Sequence, residues 1–351
     1  MSLIQWLENQ DEFPKFYWRS RDTGTEIAAV GVLEEYEQPR IGSVGFVRFD
    51  NDRSSDKLWS PFGKSRFWKP SKLQQAITPC PPALNQTEIQ VKRTQPTPGW
   101  SQAVREILDV IQQDSLQKAV LARHMTLSQA EPVDSLSLLA KLQSQIPTAY
   151  HFLYEPMPGL AFLGASPEQL FKRQGSQLES EAQAGTKPRA APADDLLKND
   201  KELREHQWVI DDILNRFHEL CIDYGVTNRH EVIKLSHVQH LRTRIRGILA
   251  PGIQDEQILK ALHPTPAVCG WPREEAFKLL RQLEDFDRGF YAGAIGYAGE
   301  EDSEFAVAIR CAVIENSTLH LFGGAGIVPG STPEHEWEEI ENKIAFWRAL
   351  L

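Results

Sequence analysis

AYHFLYEPMPGLAFLGASPEQLFKRQGSQLESE, residues 149–181, packs four short apolar-rich runs into one stretch, at 149–154, 160–165, 169–173 and 177–181. Each reads as a β-strand, and the gaps between them are too short to hold a helix. Strands joined so tightly read as hairpins rather than strand-helix-strand units, because a parallel pair needs a crossover of about a dozen residues or more. The same style recurs at 118–126, 290–297, 304–314 and 318–323, while 27–33 and 44–49 read as an early hairpin or meander. Helical periodicity is clearest at 100–112, 135–145, 201–221, 256–262, 273–283 and 333–350. Hairpins outnumber strand-helix-strand units. The expected class is therefore α+β, with large, mainly antiparallel β-sheets packed as a sandwich and helices on the outside.

Outward from that core the composition is ordinary. With 351 residues, 41% of them hydrophobic and 25% charged, the chain is long enough for one large domain or two ordinary ones. No period of about 20 to 50 residues repeats, which sets solenoids and propellers aside. Pro81, Pro82, Asn85, Gln95, Pro96, Pro98 and Gly99 mark a connecting stretch between residues 79 and 100. Residues 1–98 are expected as a strand-rich N-terminal segment contributing to the same fold, and 99–351 as the core that carries the site. Formal charge is −10 at pH 7 with no lysine/arginine block, so the chain has no electrostatic footprint for a phosphate backbone, and nucleic acid is not an expected partner. No apolar run approaches the ~18 to 20 residues that span a bilayer, and the first residues lack a signal-peptide pattern, so a cytosolic protein without a membrane partner is expected. Cys80, Cys221, Cys269 and Cys311 are scattered and read as reduced, buried thiols rather than a zinc site or a disulfide framework.

Two helices carry acidic faces. On the helix beginning near Lys201, Leu203, Ile210, Ile213, Leu214, Phe217 and Leu220 form an apolar stripe, while Glu202 and Glu205 share another face. The last helix repeats the arrangement, with Trp337, Ile340, Ile344 and Trp347 on the buried stripe and Glu336, Glu339 and Lys343 in line. Four carboxylates converging on one cavity repel one another unless a cation sits among them, and hard oxygen donors select magnesium or a similar ion. Glutamates at this spacing are as readily a solvated face. The glycine-rich run Gly323-Gly324-Ala325-Gly326 precedes the last helix, where Ser331, Pro333 and Glu334 stand as a capping box. It reads either as backbone N–H groups that hold a carboxylate or as a tight turn needing positive φ. It lacks the lysine and hydroxyl ending of a nucleotide-binding loop.

Lys118 opens an apolar strand and Glu168 ends a Ser-Pro-Glu turn, and either alone passes for a surface charge. The ordered series QKAVLAR (117–123), GASPEQL (164–170), AGTKPR (184–189), KELREH (201–206), LHPTPAVCG (262–270), RGFYAGAIG (288–296), AIR (308–310), GGAGIVPGSTPEHEWEE (323–339) and ENK (341–343) is far more specific. It resembles the chorismate-utilising enzymes, a family that includes isochorismate, salicylate, anthranilate and aminodeoxychorismate synthases, over roughly residues 100–351. The resemblance implies that family's fold, a general acid at Glu168, and magnesium held by Glu205 and Glu339 with Glu202 and Glu336 beside them. It places Arg310, Tyr291, the Gly324–Gly326 backbone and Lys343 against the substrate carboxylates, and His263, Thr186 and Gly185 at further pocket positions.

Within the family, water-using members resemble this chain in carrying lysine at position 118, where ammonia-using, anthranilate-type relatives carry glutamine. Ala184 stands where many aminodeoxychorismate synthases place a nucleophilic lysine, and Gln183 departs from the more usual leucine. The opening Pro14-Lys15-Phe16-Tyr17-Trp18, followed by Arg21-Asp22, resembles the start of menaquinone-pathway isochorismate synthases. The resemblance thus implies magnesium-dependent isomerisation of chorismate, with Lys118 taking a proton from water and Glu168 protonating the departing hydroxyl. Lysine is a poor base near neutrality, since its reference pKa is ~10.4, so burial or a nearby dication has to favour the neutral amine. Pyruvate elimination to salicylate is the enzymatic alternative, anthranilate formation is disfavoured by Lys118, and a chorismate-binding protein without turnover is the non-enzymatic one. No glutaminase subunit is expected, and the chain is expected as a monomer or homodimer.

Overall fold

The computed structural model describes residues 1–50, 57–79, 95–234 and 238–350. Pro81, Pro82, Asn85 and Cys80 of the connecting stretch lie outside the described residues. In chain order the elements are α1 (Leu3–Glu8), β1 (Lys15–Arg19), β2 (Thr25–Val30), β3 (Glu34–Tyr36), β4 (Ser43–Val47), β5 (Arg66–Lys69), β6 (Lys72–Ile77), α2 (Pro98–Gln112), β7 (Lys118–Ser128), α3 (Ser135–Gln145), β8 (Tyr150–Met157) and β9 (Leu160–Ser166). They continue with β10 (Gln169–Gln174), β11 (Gln177–Pro188), α4 (Asp194–Leu197), α5 (Asp200–Leu220), β12 (Cys221–Lys234), β13 (Val238–Leu249), α6 (Asp255–Leu262), β14 (Gly270–Trp271), α7 (Arg273–Leu283), β15 (Ala294–Ala298), β16 (Asp302–Val307), β17 (Cys311–Glu315), β18 (Thr318–Ile327) and α8 (Pro333–Leu350).

The strands form two nine-stranded sheets, β14-β7-β18-β17-β9-β8-β1-β2-β6 and β12-β13-β11-β10-β16-β15-β4-β5-β3, and the fold is α+β. Alternation along each strand sends one set of side chains between the sheets and the other outward. In the first sheet both sets are buried: Phe16, Trp18, Phe152 and Phe162 enter the core between the sheets, while Tyr17, Leu153, Ala161 and Leu163 meet α1, α3 and the end of α8. Aromatic rings lock the sheets together, with Phe46 4.1 Å from Phe290 and 4.5 Å from Tyr154 between centroids. On the second sheet α5 lies across β11, β12 and β13, burying Val209, Ile210, Ile213 and Phe217. Among the described residues no helix is long and apolar enough to cross a membrane.

Four sequence expectations need correction. The apolar run 304–314 is not one strand: β16 belongs to the second sheet and β17 to the first, with the chain crossing between them at 308–310. The run 290–297 starts as a turn, with Ala292 at φ 60°, and becomes β15 only at Ala294. The glycines at 323, 324 and 326 lie inside β18 rather than in a turn, and none has positive φ. At the start of α8 the capping hydroxyl is that of Thr332, which accepts from His335 N at 3.3 Å, while Ser331 Oγ accepts from Val328 N at 3.1 Å. Unforeseen were β12 and β13, although Leu241, Thr243 and Ile245 alternate with Arg242, Arg244 and Arg246 at the period of two that marks a strand.

Candidate active site

Two crossings between the sheets place the first functional side chains. The chain leaves the first sheet at Ser166 and enters the second at Gln169, so Pro167 and Glu168 span the gap; the crossing at 308–310 carries Arg310, at φ 53°. The crossings are stitched together. Ser166 Oγ donates to Val307 O at 2.6 Å and accepts from Glu168 N at 3.2 Å, and Val307 N donates to Glu168 O at 3.1 Å. Lys118 opens β7 between β14 and β18, and Gly185, at φ 75°, breaks the β11 register. Helix α5 on one sheet and α8 on the other then bring Glu205 and Glu339 in from opposite sides.

These elements enclose one cavity. Its walls include Lys118, Glu168, Gly185, Thr186, Glu205, Tyr291, Arg310, Gly324, Gly326, Glu339 and Lys343. Glu168 is 4% exposed, and burial, reinforced by the charge of Glu181, pushes its carboxyl up to about 8, so it holds a proton at neutral pH. Lys118 is 1% exposed, with Nζ 2.9 Å from Glu205 Oε1. Lys343 Nζ lies 2.6 Å from Glu339 Oε1 and donates to Gly324 O at 2.8 Å. Burial pulls Arg310 down to about 10, which leaves it a cation at neutral pH, and its Nη1 donates to Lys343 O at 3.0 Å. A Cβ at Gly326 would stand 2.6 Å from Glu205 Oε1 and 3.1 Å from Lys118 Cε, so a side chain there would displace the ends of the Lys118–Glu205 pair. The open volume is about 80 Å³, below the ~300 Å³ of ordinary ligand pockets, because these long side chains fold into it.

Each of the four candidate metal-holding glutamates has a lysine partner. Glu205 pairs with Lys118, Glu339 with Lys343, Glu202 with Lys187 at 3.1 Å and Glu336 with Lys201 at 3.4 Å. Glu202 also accepts from Thr186 N at 3.0 Å and, like Glu336, stands behind the cavity wall. Four lysines thus supply the compensation that the sequence reading asked of a metal ion. The carboxylates still sense one another. Burial and Glu205 raise Glu202, while burial and Glu339 push Glu336 up to about 7. Among the described residues no three carboxylate, imidazole or thiol groups stand together at metal-ligand spacing. The donor set itself, oxygen only and from two helices, is of the chemical kind that suits a hard divalent ion.

His263 is the one expected pocket residue that the fold turns elsewhere. It follows the C-terminus of α6, and its Nε2 lies 3.0 Å from Arg48 O; the same segment reaches the cavity through Ala267 and Val268 instead. Two further polar residues join the wall, His240, which was not foreseen, and Gln183, which the resemblance had put beside the pocket without a role. His240 of β13 sits with Nδ1 3.0 Å from Gly185 O, and burial, with Arg310 and Lys343, pulls it down to about 3, so it is neutral. Gln183 presents a buried side-chain oxygen with no partner. Strand alternation would not have found His240, since it has the same parity as Arg242, Arg244 and Arg246 and so reads as an outward residue. A larger cavity, about 660 Å³, lies on the second sheet between Lys172, Glu179, Tyr224 and Arg246, and it does not include the Lys118–Glu168 pair.

The family model described as "Chorismate binding enzyme" matches residues 69–351. Isochorismate synthase from Pasteurella multocida is 34% identical, covering 100% of this chain and 90% of its own, and that of Haemophilus influenzae is 33% identical, covering 98% and 88%. The solved structure of MenF, the menaquinone-specific isochorismate synthase from Escherichia coli, superposes with a TM-score of 0.84 at 29% identity, covering 100% of this chain and 91% of that one.

Proposed function

The chain belongs to the chorismate-binding enzyme family, and from that premise we propose that it is an isochorismate synthase, an isomerase acting on chorismate, serving menaquinone biosynthesis in the cytosol. The observation that carries this reading is one cavity with a buried lysine and a protonated glutamic acid on its walls, lined by further cations suited to a dicarboxylate.

Arg310 grips the enolpyruvyl carboxylate as a planar fork, and Lys343 with the Gly324–Gly326 backbone and Tyr291 holds the remaining anionic groups. Entry displaces the Lys343–Glu339 pair, since little open volume exists otherwise. Glu205 and Glu339, with Glu202 and Glu336 behind them, would hold a magnesium ion, whose charge when bound would neutralise the ring carboxylate and take over the carboxylates now paired with lysine. Lys118, released from Glu205, accepts a proton from the water that adds to ring carbon 2. Glu168 gives its proton to the hydroxyl leaving ring carbon 4 as the double bonds shift. One water is consumed and one released, and the proton gained at Lys118 balances the one lost at Glu168, so the product is an isomer.

Incubation with chorismate and magnesium, followed by chromatography and mass measurement, tests this. A product of unchanged mass at a new retention time is expected, with no pyruvate in a coupled assay. Pyruvate release would select salicylate formation instead, and a chain that binds chorismate without converting it would overturn the enzymatic reading.

A further inference from the structure

Glu168 is held from behind by a side chain of the N-terminal segment. Arg21 Nη1 donates both to Pro167 O and to Glu181 Oε1, the latter at 2.6 Å, and Glu181 Oε1 also accepts from Gln169 N at 2.9 Å. The residues on either side of Glu168 are thus tied to one guanidinium–carboxylate pair. That pair is buried, with side-chain exposures of 8% for Arg21 and 2% for Glu181. A second layer supports it. Arg21 pairs with Asp22 at 2.8 Å and lies over the Tyr150 ring, 4.9 Å from its centroid, while the Tyr150 hydroxyl donates to Gln169 Oε1 at 3.0 Å. Residue 21 precedes the span matched by the family model, and nothing in the catalytic scheme above uses it.

We propose that Arg21 and Glu181 are a positioning pair for the acid Glu168, fixing the crossing that aims its carboxyl into the cavity. The inference rests on Glu168 being the general acid. Two buried charges are costly unless paired with good geometry, and replacing such a pair by apolar groups is often neutral or stabilising, so its presence beside the acid calls for a role other than stability. The pair also acts through charge. Arg21 and Arg242, the latter at 3.8 Å on the other carboxylate oxygen, flank Glu181, and the Glu181 carboxylate opposes a second negative charge at Glu168. Lys118 from β7 and Lys343 from α8 face Glu168 and pull the other way.

The test is the pH profile of kcat/KM, together with kcat and KM, for the full chain and for Glu181→Gln, Arg21→Met, Arg21→Lys and Glu168→Gln. Glu181→Gln removes the opposing charge, so the alkaline limb moves to lower pH by about one unit. Arg21→Met leaves Glu181 in place, so its limb does not move down; kcat falls about tenfold or more at nearly constant KM as the crossing loosens, and Arg21→Lys recovers part of the loss. Should Glu181→Gln not fold, the contrast between Arg21→Met and Arg21→Lys decides alone. An unmoved limb in folded Glu181→Gln, or Arg21→Met turning over like the parent, overturns the proposal. Turnover retained by Glu168→Gln would instead overturn the acid assignment beneath it.

Discussion

At Glu168, function and stability pull in opposite directions. Its carboxyl is pushed up to about 8 in the folded chain against an ordinary 4.5, so folding favours the protonated form. The penalty of ionising it is absent below the unfolded value and grows as pH rises from there through about 8, at a cost of roughly 3 kcal/mol by pH 7. Glu168→Gln, which cannot ionise, is therefore expected to melt above the parent at pH 8 and level with it at pH 4, while losing turnover; equal melting at both values would remove the pKa argument. For the parent, kcat/KM should fall as pH rises past about 8, as the acid loses its proton. Gly326→Ala would press a methyl group onto Glu205 Oε1, and a displacement of that kind costs about a hundredfold in kcat/KM with the fold retained, read by steady-state kinetics beside circular dichroism. Of the site, Glu168, Lys118 and Glu205 were legible because motifs carry them. His240 was not, because one polar residue on a strand has no spacing partner to reveal which face of which sheet it joins.

Helices and hairpins were legible for a related reason: their periodicity is local, and 135–145, 273–283 and 333–350 were bounded by the sequence pattern as the structure bounds them. The crossings were not. Residues 304–314 form an unbroken apolar-rich run, and pattern alone does not say that the chain changes sheets within it. Yet these two crossings carry Glu168 and Arg310, and the Ser166 hydroxyl joins them by bonding both Val307 O and Glu168 N. Ser166→Ala should cost about 1 to 3 kcal/mol through the buried groups left unpaired, and should lower kcat more than it raises KM. Thermal unfolding and steady-state kinetics on the same sample check both parts; a variant as stable and as fast as the parent would show that the stitch is idle.

Across the whole molecule, Lys118, Glu168, Glu205, Arg310 and Lys343 come from the two sheets, the crossings between them and helices laid on each, so the cavity they line exists only when the sandwich closes. The N-terminal strands belong to that closure. β1 lies between β8 and β2, and β4 pairs with β15, so a fragment starting at residue 99 would leave two long apolar edges bare. Such a fragment is expected to lack cooperative unfolding by circular dichroism, and one that folded and turned over chorismate would contradict this. The central claim is that water enters at one carbon, on the Lys118 side, while hydroxyl leaves from another on the Glu168 side. Early-time conversion of chorismate in water labelled with heavy oxygen tests it most directly: the isochorismate formed should carry the label at ring carbon 2, and unlabelled product, with the original hydroxyl merely moved across the ring, would contradict it.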